Sequence, residues 1–161
     1  MAQFEHLAEH ADSPITALRR IPAHPAQTVP LPDHVPPALA KVLRARGIAQ
    51  LYTRQADAFT AITAGSSVVI VTPTASGKTL CYNLPVLQHL LDNPGGRALY
   101  LFPTKALAED QLHEFNSIVD DMIVDNKPSD IRAFTYDGDT PQDARRAIRE
   151  QIGRASCRER V

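Results

Sequence analysis

"VVIVTPTASGKTLCYNLP", Val68 to Pro85, passes from an apolar run through a loop of small residues to Gly77-Lys78-Thr79, then into a helical pattern that contains a proline. Holding a phosphate chain requires backbone N–H groups that converge at a helix N-terminus, where unpaired donors and the helix dipole both favour anions. The loop offers such a cradle. Pro73 has no N–H, so the cradle starts at Thr74 and continues through Ala75 and Ser76. Gly77 lets the backbone approach closely, Lys78 can extend to the β and γ phosphates, and the Thr79 hydroxyl can ligate Mg²⁺. The general pattern G-x-x-x-x-G-K-[ST] has glycine where this chain has Thr72, so the match fails by one position. A glycine turn between strand and helix, with an exposed lysine, is the plainer alternative. Pro85 predicts a kink in the helix that follows.

Outward from this loop, three apolar runs are each followed by a loop and a helical pattern: "SVVIVT" at 67–72, "RALYLF" at 97–102 and "IRAFTY" at 131–136. The alternation predicts an α/β fold with a parallel sheet. Leu80, Leu84, Leu87 and Leu91 share one helical face; Ala108, Leu112, Phe115, Val119 and Met122 share another. The third run leaves through "DGDT" to a helix with Thr140 as N-cap and Pro141 at N1. In a parallel sheet every loop after a strand opens at the carboxyl edge, so the three loops should share one rim. Three strands leave an unpaired edge, which points to part of a larger domain.

Upstream, seven of the thirteen prolines fall in residues 1–37, and an extended Pro-rich arm is expected over 1–36. Helices follow: one places Leu39, Val42 and Leu43 on one face and ends at Gly47; a second starts after Thr53, turns Ala56, Phe59 and Ile62 inward and stops at Gly65. The 161 residues are 43% hydrophobic, enough for one ordinary domain. No run is apolar and long enough to span a membrane, and the N-terminus lacks the core of a signal peptide; a cytoplasmic location is expected, with no membrane partner. Cys81 and Cys157 form neither a disulfide framework nor a metal-ligand pair.

A formal charge of −1 gives no footprint of a general nucleic-acid binder. The tail "IGRASCRERV", residues 152–161, breaks in composition from what precedes it, and its back-translation resembles a sequencing-library adapter. Read as adapter read-through, it leaves residues 37–151 as the natural domain portion. His6 and His10 stand four apart without the frame of a metal site. Arg145, Arg146 and Arg149 could touch DNA, but a solvated helix face is the preferred reading.

Gln55, in "LYTRQADAF" 23 residues before Lys78, joins "TPTASGKTLCYNLPVL", "ALYLFPTKALAEDQ" and "YDGDTPQDAR" in one order. Together they resemble the Q motif, motif I, motif Ia and a Gly-containing motif Ib of superfamily-two DEAD/DEAH-box helicases, over about residues 36–150. The branch most resembled is the bacterial mitomycin-repair-type DNA helicases, which also carry a C-terminal zinc-binding region. In that family Ala or Thr is common at the first P-loop position, as at Thr72.

The resemblance implies the N-terminal part of a RecA-like ATP-binding domain, with ATP and Mg²⁺ as ligands and single-stranded or duplex DNA as partner. It implies that Gln55 reads adenine, that Tyr52 lines the base, and that Lys78 and Thr79 serve catalysis, Thr79 also as metal ligand. Pro103, Thr104, Lys105 and Gly138 would hold DNA phosphates. It further implies a parent helicase translocating 3′ to 5′, in which ATP closes a cleft between two lobes. The acidic motif that orients the attacking water, and the arginines of the second lobe, are missing from this sequence, so this portion alone should bind without turnover. A small P-loop regulatory module, complete as written, is the competing reading.

Overall fold

A computed structural model describes residues 25–73, 76–124 and 127–154, apart from the side chains of Pro128 and of 151–154. His6, His10, most of the Pro-rich arm, Thr74, Ala75 and residues 155–161 lie outside the described residues.

The helices form where the apolar periodicity places them. Helix α1, Pro37–Ala45, starts on a proline whose missing N–H is harmless in a first turn and buries Leu39, Ala40, Val42 and Leu43. It stops because Gly47 takes φ 79°. The Gly47 N–H reaches the Arg44 carbonyl at 3.0 Å and the Ile48 N–H reaches that of Leu43 at 2.8 Å, which caps the last carbonyls. Helix α2, Thr53–Thr63, ends the same way at Gly65, φ 87°. Ala56, Ala58 and Phe59 carry its buried face, whereas Ile62 is only half-buried.

Helix α3, Lys78–Asp92, continues through Pro85, whose ring is buried beside Leu84 and Leu87. Packing of that face offsets the lost hydrogen bond, which an isolated helix could not do. Helix α4, Lys105–Asp120, buries Phe115, Ile118 and Val119; helix α5 spans Gln142–Arg154. The core gathers Leu39, Leu43, Leu51, Phe59, Leu84, Leu87 and Met122, all fully enclosed.

The sheets differ from expectation. Strand β1, Thr28–Pro30, pairs antiparallel with β2, Gln50–Tyr52, setting Val29 opposite Leu51. The end of the proline-rich stretch therefore serves as an edge strand, where a residue without N–H is tolerated. Strands β3, Ile123–Val124, and β4, Lys127–Pro128, form a second antiparallel pair. The runs 67–72, 97–102 and 131–136 join no ladder among the described residues, so the parallel hydrogen bonding expected of them is not formed there.

Their burial explains why. Along 68–72 and 131–136 half-buried residues alternate with exposed ones, the pattern of extended chain with one face on a helical layer. The opposite face is bare: Val69, Val71, Leu99 and Leu101 are 84–89% exposed. Doubly wound sheets cover both faces and frequently set strands from elsewhere in the chain between sequence neighbours. The described residues supply neither the intervening strands nor the second layer of helices.

Candidate phosphate and nucleic-acid site

Gly77 is the N-cap of α3, at φ 72° and ψ 29°. A side chain there would be strained, and its Cβ would lie 2.6 Å from Gln55 Nε2. The close neighbour is held by bonds. Gln55 is only 4% exposed. Its Nε2 donates to the Gly77 carbonyl at 2.8 Å, and its Oε1 accepts from the Tyr52 N–H at 2.9 Å. A polar residue in a first helical turn ordinarily faces water; this one ties Gly77, at the start of α3, to α2. Tyr52, 47% exposed, stands beside the same glycine. Tyr52 and Gln55, at the start of α2, thus meet Gly77 from 22 residues beyond Gln55.

Lys78 folds back on the loop, its Nζ donating to the carbonyls of Thr72 at 2.8 Å and Pro73 at 2.7 Å. Thr72 and Ser76 share a hydroxyl hydrogen bond of 2.6 Å across the loop. Thr72, the residue that departs from the glycine pattern, thus ties the end of the run 67–72 to the residue before Gly77. Thr79 follows, half-buried, in the first turn of α3. Helix start, Lys78 and Thr79 fit a magnesium nucleoside triphosphate. Among the described residues no cluster of three His, Cys, Asp or Glu stands by to add metal ligands. Cys81, one turn further, is buried, and burial pushes its thiol up from the ordinary range.

Helices α3 and α4 are tied within two turns of their starts, where the Tyr82 hydroxyl donates to Gln111 Oε1 at 2.5 Å. Tyr100, on the run between them, donates to Asn83 Oδ1 at 2.9 Å and meets the Phe115 ring edge-on at 5.9 Å. Burial, then the neighbouring Tyr82, hold the Tyr100 phenol protonated far above its usual range.

At the start of α4, Thr104 is the N-cap, and its hydroxyl accepts from the Leu107 N–H at 3.3 Å. Pro103 and Lys105 are exposed beside it. Lys105 is paired with Asp139, and Asp137 Oδ2 lies 3.8 Å from its Nζ. The hydrogen bond to Asp139 raises the Lys105 ammonium above its usual range. The contact joins the 103–105 loop directly to the 137–140 loop, which sequence alone placed together only by topology.

The 137–140 loop is built on Asp137. Its Oδ1 accepts from the N–H groups of Asp139 and Thr140, each at 2.9 Å, and from the Thr140 hydroxyl at 3.0 Å. These bonds, the Thr140 hydroxyl foremost, lower the Asp137 carboxyl below its ordinary range. Thr140 also accepts from the Asp137 N–H at 2.9 Å, so its hydroxyl closes the loop rather than capping α5 as expected. Gly138 is exposed, with open space where a side chain would be.

Arg145 is not the solvated residue its helix position suggested. It is half-buried; its Nη2 donates to the carbonyls of Asp137 at 2.7 Å and Gly138 at 2.8 Å, and its guanidinium lies 5.5 Å from the Tyr136 ring centre. Asp137 and Asp139 belong to this arrangement though sequence reasoning did not single them out, and Arg145 belongs to it in place of the solvated face preferred for it. Asp at the head of "DGDT" is a turn signal that could have revealed the first.

A family model described as DEAD/DEAH box helicase matches residues 52–156. The chain is 52% identical over 125 residues to the uncharacterized ATP-dependent helicase YprA of Bacillus subtilis (strain 168), covering 78% of this chain and 16% of that protein. It is 38% identical over 133 residues to the ATP-dependent helicase hrq1 of Schizosaccharomyces pombe, covering 82% of this chain and 12% of the relative. The crystal structure of the DUF1998 helicase MrfA bound to DNA superposes with a TM-score of 0.73 at 51% identity, over 79% of this chain and 17% of that one. The chain thus spans about a sixth or less of the length of these relatives.

Proposed function

Since the chain belongs to the DEAD/DEAH box helicases and folds as part of a RecA-like domain, we propose that it is the ATP- and DNA-binding front portion of an ATP-dependent DNA helicase. The observation that supports this reading is the meeting of Tyr52, Gln55 and Gly77 at the start of α3. The unpaired amides of that helix start would receive the phosphates. Lys78 would leave the Thr72 and Pro73 carbonyls for the β and γ oxygens, and the Thr79 hydroxyl would face Mg²⁺. Bound Mg²⁺ would neutralise charge between the phosphates. Gln55 offers a donor and an acceptor to an adenine edge, at the cost of its bonds to Gly77 and Tyr52.

DNA would lie along the rim where the two later loops meet. Thr104 and Lys105 would take phosphates from one side and the Gly138 N–H from the other. Hydrolysis and unwinding would belong to the longer protein, which supplies the acidic motif and second lobe. A cytoplasmic location suits such an enzyme, and no helix among the described residues is long and apolar enough to cross a membrane.

The test is equilibrium binding of a fluorescent ATP analogue with Mg²⁺ to the full 161-residue chain. Saturable binding is expected, weakened at least about tenfold by Lys78→Ala, in line with the loss of a charge-assisted contact to phosphate. Equal binding by wild type and Lys78→Ala overturns the nucleotide reading. DNA-stimulated turnover by this chain alone overturns the assignment of hydrolysis to the longer protein.

A further inference from the structure

We propose that Arg145 is a positioning residue for the DNA-binding rim, holding the 137–140 loop so that the Gly138 N–H faces outward. This rests on the proposed reading of that rim as a DNA site.

Arg145 lies in the first turns of α5, where the positive end of the helix dipole disfavours a cation. Something must compensate. Its Nη2 is shared between two carbonyls of one loop, Asp137 and Gly138, and the Tyr136 ring lies against the guanidinium. Nε, by contrast, is buried without a partner, so the side chain is placed by those two carbonyls rather than by full satisfaction of its donors.

The consequence follows from peptide geometry. No peptide bond here is cis. In a trans peptide the C=O and N–H point to opposite sides. With the Asp137 carbonyl turned to Arg145, the N–H of Gly138 points away from Arg145, and Gly138 itself is exposed. The neighbouring amides of Asp139 and Thr140 are both spent on the Asp137 carboxylate. Gly138 is left as the loop's outward donor, and Arg145 fixes its direction without reaching a phosphate itself.

The experiment is fluorescence anisotropy of a labelled oligothymidylate with the full chain across a salt series. Arg145→Lys, Arg145→Gln and Lys105→Ala are compared with wild type, and backbone amide spectra confirm that each variant is folded. Both Arg145 variants should bind about tenfold more weakly, the worth of an ordinary hydrogen bond. Lysine should not rescue, because it lacks the planar fork. The salt slope should be unchanged in Arg145→Gln and reduced by about 0.7 in Lys105→Ala, the value for one phosphate on a single strand. The Gly138 amide resonance should shift in both Arg145 variants without DNA.

A reduced slope in Arg145→Gln with recovery in Arg145→Lys would make the residue a direct phosphate ligand and overturn the inference. Wild-type binding by both Arg145 variants, with Lys105 dependence intact, overturns it while sparing the DNA reading. Binding that ignores Lys105, or none at all, removes the DNA reading and the inference with it.

Discussion

At Gln55 one amide makes two contacts, and substitutions can separate them. Gln55→Glu keeps an acceptor for the Tyr52 N–H but loses the donor to Gly77 and places a carboxylate against a carbonyl. It should destabilise the chain by about 1–3 kcal/mol, read by thermal unfolding, and weaken nucleotide binding more than Gln55→Ala does. Asp139 acts oppositely at the other loop. It occupies the Lys105 ammonium that a DNA phosphate would need, so Asp139→Asn should tighten oligothymidylate binding several-fold, an effect abolished in a Lys105→Ala background. Asp137 supplies a pH signature. Its folded value is depressed, so its contribution to the loop is present above the ordinary carboxylate range and lost as pH falls through the folded value. The carboxyl resonance of Asp137 should titrate below that of an exposed aspartate, and Thr140→Val should move it back up.

Between elements, Arg46 clasps the end of α1 to the end of α4. It donates to Asp121 Oδ2 at 2.6 Å and to the carbonyl and hydroxyl of Ser117 at 2.6 and 2.7 Å. Asp121 is 57% exposed, so a double-mutant cycle on the ion pair should give only about 0.2–1 kcal/mol. Leu84→Ala in α3, at a fully enclosed position, should cost about 2–5 kcal/mol in denaturant titration.

How far these elements could be read from sequence depended on how local their causes are. Gly47 and Gly65 announced the helix ends because a left-handed residue is a local demand. The faces of α3 and α4 were legible because burial repeats with the turn of the helix. The ladders of 67–72, 97–102 and 131–136 were not legible, since pairing depends on which distant strand lies alongside. Arg145 was misread for a related reason: a helix wheel shows which side a residue takes, and nothing of the loop carbonyls waiting there. Resemblance alone links the Gln55 amide to a nucleotide, whereas its bond to Gly77 is visible only in the fold.

Across the whole molecule, the helical layer covers one side of the extended runs and leaves Val69, Val71, Leu99 and Leu101 open to water. An apolar strip with unladdered backbone is an invitation to self-association. Light scattering should show concentration-dependent oligomers of the 161-residue chain, and replacing these four residues with threonine should shift it toward monomer. A wild-type chain that stays monomeric at high concentration would contradict this. The same one-sidedness leaves the backbone of these runs open to strands supplied by another polypeptide, which would cover the bare apolar face as they paired.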